Sequence, residues 1–178
     1  LPPGTMRLTG YELASSLSFL ITGSMPDDAL FQAAREHRLD TPADVRREAT
    51  RLLATPAGHD TLHVFLQQWL GTDGLATTTK DRSIYPAFST DVAASMSTEL
   101  DRFFEQVAGK RGSVRELFTS TDSTIDARLS PIYGTPVSGD GFSPVTLDPA
   151  KRKGILTRAG FLASHSDVDS SGPILRGV

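Results

Sequence analysis

The sequence predicts an all-α fold: a multi-helix bundle with an irregular segment rich in proline and glycine and a polar C-terminal tail. Three observations carry this. Helix-start signals recur, with Ser or Thr followed three residues on by an acid, as in Thr9/Glu12, Thr41/Asp44 and Ser113/Glu116. Apolar residues then return every three to four positions. Glycine or proline closes most of the stretches.

Behind Thr9, the spacing of Leu13, Leu17, Leu20 and Ile21 predicts a helix that ends at Gly23. Pro26 suits the first turn of a second helix, with Asp27 and Asp28 at its positive end. Leu30, Ala33, Ala34 and His37 would share its face. A third helix opens at Thr41-Pro42, with Val45, Ala49, Leu52 and Leu53 as its stripe. Pro56 divides it from a fourth, which carries Leu62, Phe65, Leu66 and Trp69 to Gly71. Residues 72–88 are polar, with Gly74 and Pro86, and read as a long loop.

The longest unbroken period follows Ser89 or Thr90: Val92, Met96, Leu100, Phe103, Phe104 and Val107. Gly109 and Gly112 bracket its end. Short helices are expected from Ser113 to about Ser120 and around Ile125, Leu129, Ile132 and Tyr133, the latter closed by Gly134. Residues 135–149 are irregular, with Val145-Thr146-Leu147 as at most a short strand. A last helix is expected from Gly154 to Ser164, and a mobile polar tail from His165. Leu17, Leu66, Trp69, Leu100, Phe103 and Phe104 are expected to share one core.

A chain of 178 residues with 38% apolar and 22% charged residues is an ordinary globular composition. It can bury about 70% of its unfolded surface without a covalent staple. The absence of cysteine excludes disulfides, thiolate zinc sites and c-type haem attachment within this sequence. A net charge of −3 and the single short basic run Lys151-Arg152-Lys153 give no nucleic-acid surface. No apolar run reaches the length of a membrane span. Leu1 is no initiator methionine, and the chain reads as an internal piece of a longer protein.

Two motifs have metal-binding spacing. His59 and His63 stand one helical turn apart, as in zinc proteases, but Asp60 replaces the glutamate base and no third ligand is in view. The plain reading is two half-exposed histidines on an amphipathic helix. Asp167, Asp169 and Ser171, with Gly172, match the opening of a calcium loop. Its twelfth position is Val178 rather than a bidentate glutamate, and a loop satisfying its own backbone is the plain alternative. Tyr85, Tyr133 and Arg128 could line a pocket. No phosphate loop, dinucleotide fingerprint or Ser-His-Asp order is present.

Two short texts, Leu8 to Leu20 running into Ser24-Met25-Pro26-Asp27-Asp28, and Gly154 to Leu162 running into Gly172-Pro173-Ile174-Leu175-Arg176-Gly177, are shared with a family. Between them stand Gln68-Trp69-Leu70-Gly71, Phe103-Phe104, Ala127-Arg128-Leu129 and Tyr133-Gly134. Residues 1–149 resemble the bacterial domain of unknown function 1592. Residues 150–178 resemble the opening of domain of unknown function 1588, truncated. The resemblance implies large exported proteins in which several such domains follow one another, many with a c-type cytochrome module. It therefore implies an extracytoplasmic setting, with the remaining domains of the parent and a cytochrome module as partners. Any haem would belong to another segment, and no catalytic residue carries over. Three readings follow: a non-catalytic scaffold or interaction domain; an enzyme domain acting on an extracellular polymer with its site completed elsewhere; and a calcium module using Asp167 and Asp169.

Overall fold

A computed structural model describes residues 6–109 and 113–174. The chain divides into two compact units, Leu1–Phe65 and Leu66–Val178. The first contains helices α1 (Gly10–Thr22), α2 (Asp28–Arg35) and α3 (Pro42–Leu53), and the division falls within α4 (Pro56–Trp69).

The predicted capping box forms. The Thr9 amide donates to Glu12 at 2.8 Å, and the Glu12 amide donates to the Thr9 hydroxyl at 3.3 Å. Gly23 ends α1 in the left-handed region at φ 63°. Asp27, not Pro26, opens α2: its carboxylate accepts the Leu30 amide at 2.9 Å and two bonds from Arg51 at 2.7 and 3.0 Å. Those bonds, the Arg51 ones foremost, hold the Asp27 carboxyl below its usual range. Pro26 therefore lies before the cap. His37 leaves the predicted face; it falls beyond α2 with φ 57° and is exposed. Ala14, Leu17, Leu30, Ala33 and Leu52 form the core of this unit.

The second unit is built around α5 (Thr90–Gly109). Short helices α6 (Val114–Thr119), α7 (Ser130–Tyr133) and α8 (Ala159–Ser164) follow, with 3-10 turns at Leu75–Thr77 and Ile155–Thr157. Met96, Leu100, Phe103, Ile125 and Phe161 are among its buried residues.

The fold is mostly helical but not all-α. Strand β1 (Asp122–Ile125) pairs antiparallel with β2 (Ser143–Thr146), Asp122 facing Thr146 and Ile125 facing Ser143. Ile125, expected on a helix, lies in β1. There the two-residue alternation turns Ser123 and Ile125 inward. The predicted last helix is broken at Arg158, which is extended (φ −73°, ψ 146°) between the 3-10 turn and α8. At Ser113 the predicted capping box is absent, since its carbonyl and not its hydroxyl takes the Glu116 amide, at 2.8 Å.

The single expected core is also corrected. Leu17 belongs to the first cluster, while Leu100, Phe103 and Phe104 belong to the second with Leu66 packed against it. Trp69 is 54% exposed. Helical spacing says which residues share a face; it does not say which faces meet.

Candidate functional site

The second unit holds a buried polar network. Ser95, Glu99 and Phe103 recur every four residues on α5, so they stack along one strip of the helix. Glu99 and Arg158 are both 0% exposed and lie 2.6 Å apart. The same Glu99 oxygen accepts the Ser123 hydroxyl at 2.7 Å, and its other oxygen accepts the Tyr133 hydroxyl at 2.7 Å. Arg158 also donates to the Ser123 hydroxyl at 2.8 Å and to the Asp122 carbonyl at 2.6 Å. Its guanidinium carbon sits 3.6 Å from the Phe103 ring centroid. Tyr133 in turn accepts the Ala159 amide at 2.9 Å, at the first residue of α8. The pair is thus nearly saturated: of the side-chain nitrogens and oxygens of Glu99 and Arg158, only Arg158 Nε has no partner among the described residues.

A second buried carboxylate, Asp126, accepts Ser95 at 2.7 Å, the Leu129 amide at 3.1 Å and Arg128 at 3.0 Å. Burial pushes its pKa up, but these three partners outweigh that and leave it below its usual range. Burial, then the Glu99 charge, pushes the Tyr133 hydroxyl well above its ordinary pKa. Tyr133 therefore stays neutral and donating.

This sets an alkaline limit on stability. A folded-state pKa raised above the unfolded value of about 10 gives a contribution fully present below pH 10. Above that it falls by about 1.4 kcal/mol per pH unit until the folded value is reached. In urea unfolding from pH 8 to 11, Tyr133→Phe is expected to flatten this decline; an unchanged slope would contradict it.

Beside the network lies a cleft of about 460 Å3. Its walls are apolar, with Ile84 and Phe88 from the 78–89 loop, Met96 from α5, Ile132 from α7, and Leu162 and Ala163 from α8. Lys80, Tyr85, Arg152, Ser166 and Ser171 supply its polar groups. Lys80 ties the loop to the tail through the Ser166 carbonyl at 2.6 Å, the Ser166 hydroxyl at 2.8 Å and the Asp167 carbonyl at 2.8 Å. These acceptors match the three hydrogens of an ammonium; a neutral amine has only two. Burial pulls the Lys80 pKa below the ordinary lysine value, and the Asp167 charge opposes this. Arg152 donates from Nη1 to the Thr157 carbonyl at 2.7 Å and lies 5.3 Å from the Tyr133 ring centroid.

The other predicted residues are dispersed. His59 is exposed near the start of α4, and His63 is half-buried one turn on. Asp167, Asp169 and Ser171 are exposed, and the Asp167 carbonyl is already bonded to Lys80. Among the described residues, no group of three or more His, Asp or Glu is placed to hold a metal ion. Of the three residues considered for a pocket, Tyr85 lines the cleft, Tyr133 lies in the network, and Arg128 is exposed beside Asp126. The tail is anchored at its start. His165 stacks on Phe161 with ring centroids 4.1 Å apart, and the Asp81 amide donates to the Val168 carbonyl at 2.9 Å. Leu175, Arg176, Gly177 and Val178, and with them the last position of the calcium-like loop, lie outside the described residues, as does Gly112.

The sequence carries one signal of the network. Glu99 interrupts the apolar stripe of α5, three residues after Met96 and four before Phe103. An acid on a core-facing stripe calls for a buried partner.

A family model described as PSD4, protein of unknown function (DUF1592), matches residues 8–135. No curated protein and no solved structure matches the chain. No helix among the described residues is long and apolar enough to cross a membrane.

Proposed function

We propose that this chain, which belongs to the PSD4 family of proteins of unknown function (DUF1592), is a non-catalytic binding module. Its helical scaffold holds the cleft of the second unit open for an apolar partner. One observation carries this reading. The described residues lining the cleft are mostly apolar and include two cations, but no carboxylate and no imidazole. Such a lining can bind but lacks the usual groups for moving a proton near neutral pH. The buried Glu99, Asp126 and Tyr133 are held by structural partners. The proposed setting is a larger exported protein with several such domains, a segment like domain 1588 from residue 150, and a c-type cytochrome module. Visible absorption and elemental analysis of the full-length protein from its host test that setting. A haem band supports it, and its absence removes the cytochrome association.

The cleft itself is tested with the neutral solvatochromic dye Nile red. One saturable site is expected. Ala163→Phe, which fills the cleft from α8, should weaken binding at least tenfold. Ala87→Trp should do the same from an exposed loop position that core packing does not constrain. Unchanged binding in a folded variant of either kind would defeat the reading.

A further inference from the structure

We infer that the occupant of the cleft is a small amphiphile with an apolar chain and a carboxylate end, received by Arg152; this rests on the cleft being a binding site. Lys80 and Arg152 are the only charged residues among the described lining, and both are cationic. Lys80 is spent, because its three hydrogens are taken by Ser166 and Asp167. The Asp167 charge also lies close enough to act on it. Arg152 is different. Its Nη1 is bonded to the Thr157 carbonyl at 2.7 Å, and among the described residues nothing accepts from its Nε or Nη2. Those two nitrogens form one edge of the planar guanidinium. Two parallel N–H donors on an edge match the two oxygens of a carboxylate.

The head group is further favoured by how Arg152 is held. Its bond to Thr157 and its position over the Tyr133 ring restrict the guanidinium before any ligand arrives. Tyr133 is itself fixed by Glu99 at 2.7 Å and by the Ala159 amide at 2.9 Å. The buried network thus supports the cation of the cleft.

Size and walls define the rest of the molecule. A cleft of about 460 Å3 falls in the lower half of the roughly 300–1,000 Å3 range of small-molecule sites. That suits a chain of about ten carbons with its carboxylate. Phe88, Met96, Ile132 and Leu162 provide apolar contact along it, and no acid in the described lining repels the head.

Decanoate, decanol and decyltrimethylammonium are the probes, titrated calorimetrically into the full chain. Decanoate is expected to bind one saturable site at least tenfold more tightly than decanol. The cationic probe should bind most weakly of the three. Arg152→Gln should abolish the preference of decanoate over decanol. Arg152→Lys, which keeps the charge and loses the fork, should retain only part of that preference. Ala163→Phe should weaken all probes. Equal affinity for decanoate and decanol, or a preference that survives Arg152→Gln, would overturn the proposal. If Nile red also fails to respond to Ala163→Phe, the cleft reading itself falls. If Nile red responds but the carboxylate preference is missing, only the choice of occupant is wrong.

Discussion

Replacing Arg158 by methionine is expected to destabilise the second unit by about 3–5 kcal/mol, the usual cost of breaking a buried ion pair from one side. The variant leaves the Glu99 carboxylate 0% exposed without its cation. It also strips a donor from the Asp122 carbonyl at the edge of β1, and the cation from the face of Phe103. Methionine fills much of the same volume, so most of the loss is electrostatic rather than a cavity. The double variant Glu99→Leu/Arg158→Met should recover a large part of it, because apolar pairs of similar volume often replace buried ion pairs without penalty. Ser123 and Tyr133 would still lose an acceptor, so the recovery should be incomplete. Native-state hydrogen exchange of the α5 amides reads the second unit directly, without assuming that both units unfold together. An Arg158→Met chain as well protected as the parent would show that the pair carries no net weight.

Gly154→Ala is expected to cost about 3–4 kcal/mol, combining backbone strain with a hard overlap. Gly154 lies at φ 60° and ψ −169°, a region that side chains other than hydrogen essentially never occupy. An added Cβ would run into the backbone carbonyl of Phe118, which has no flexible end to move aside. Relief requires the Gly154 amide to leave the Ser120 carbonyl, now accepting it at 2.8 Å. That would shift the following turn at Ile155–Thr157 and, through it, Arg158. Gly74→Ala is the control: its φ is −86°, and no atom lies within 4 Å of the added carbon. Urea unfolding should separate the two variants clearly. Equal stability would mean that the 154 turn relaxes at no cost.

Much of the helical framework was legible in the residues. Thr9 and Thr41 cap the helices they were expected to cap, and the Ser89 hydroxyl receives the Val92 amide at 3.2 Å. The stripe of Val92, Met96, Leu100, Phe103 and Phe104 is buried as its period implied. The family texts around Leu8 and Met25 agree with the model that matches residues 8–135. The candidate site is legible only in pieces: Tyr85 and Tyr133 stand out as pocket candidates by residue type, while nothing in the text draws Glu99, Ser123, Arg152 and Arg158 together.

The dividing line is sequence separation. A cap or an amphipathic turn closes over three or four residues, so the amino acids that make it are adjacent in the text and the chain entropy of forming it is small. By itself, the sequence therefore determined the starts of α1, α3 and α5, the left-handed stop at Gly23, and the buried face of α5. The tertiary structure alone decided the rest. It joined Glu99 to Arg158 across 59 positions, paired β1 with β2, split the apolar residues into two cores, and left Trp69 exposed. Each of those outcomes depends on which distant surfaces meet, and surfaces of similar apolar character are interchangeable until the whole chain has packed.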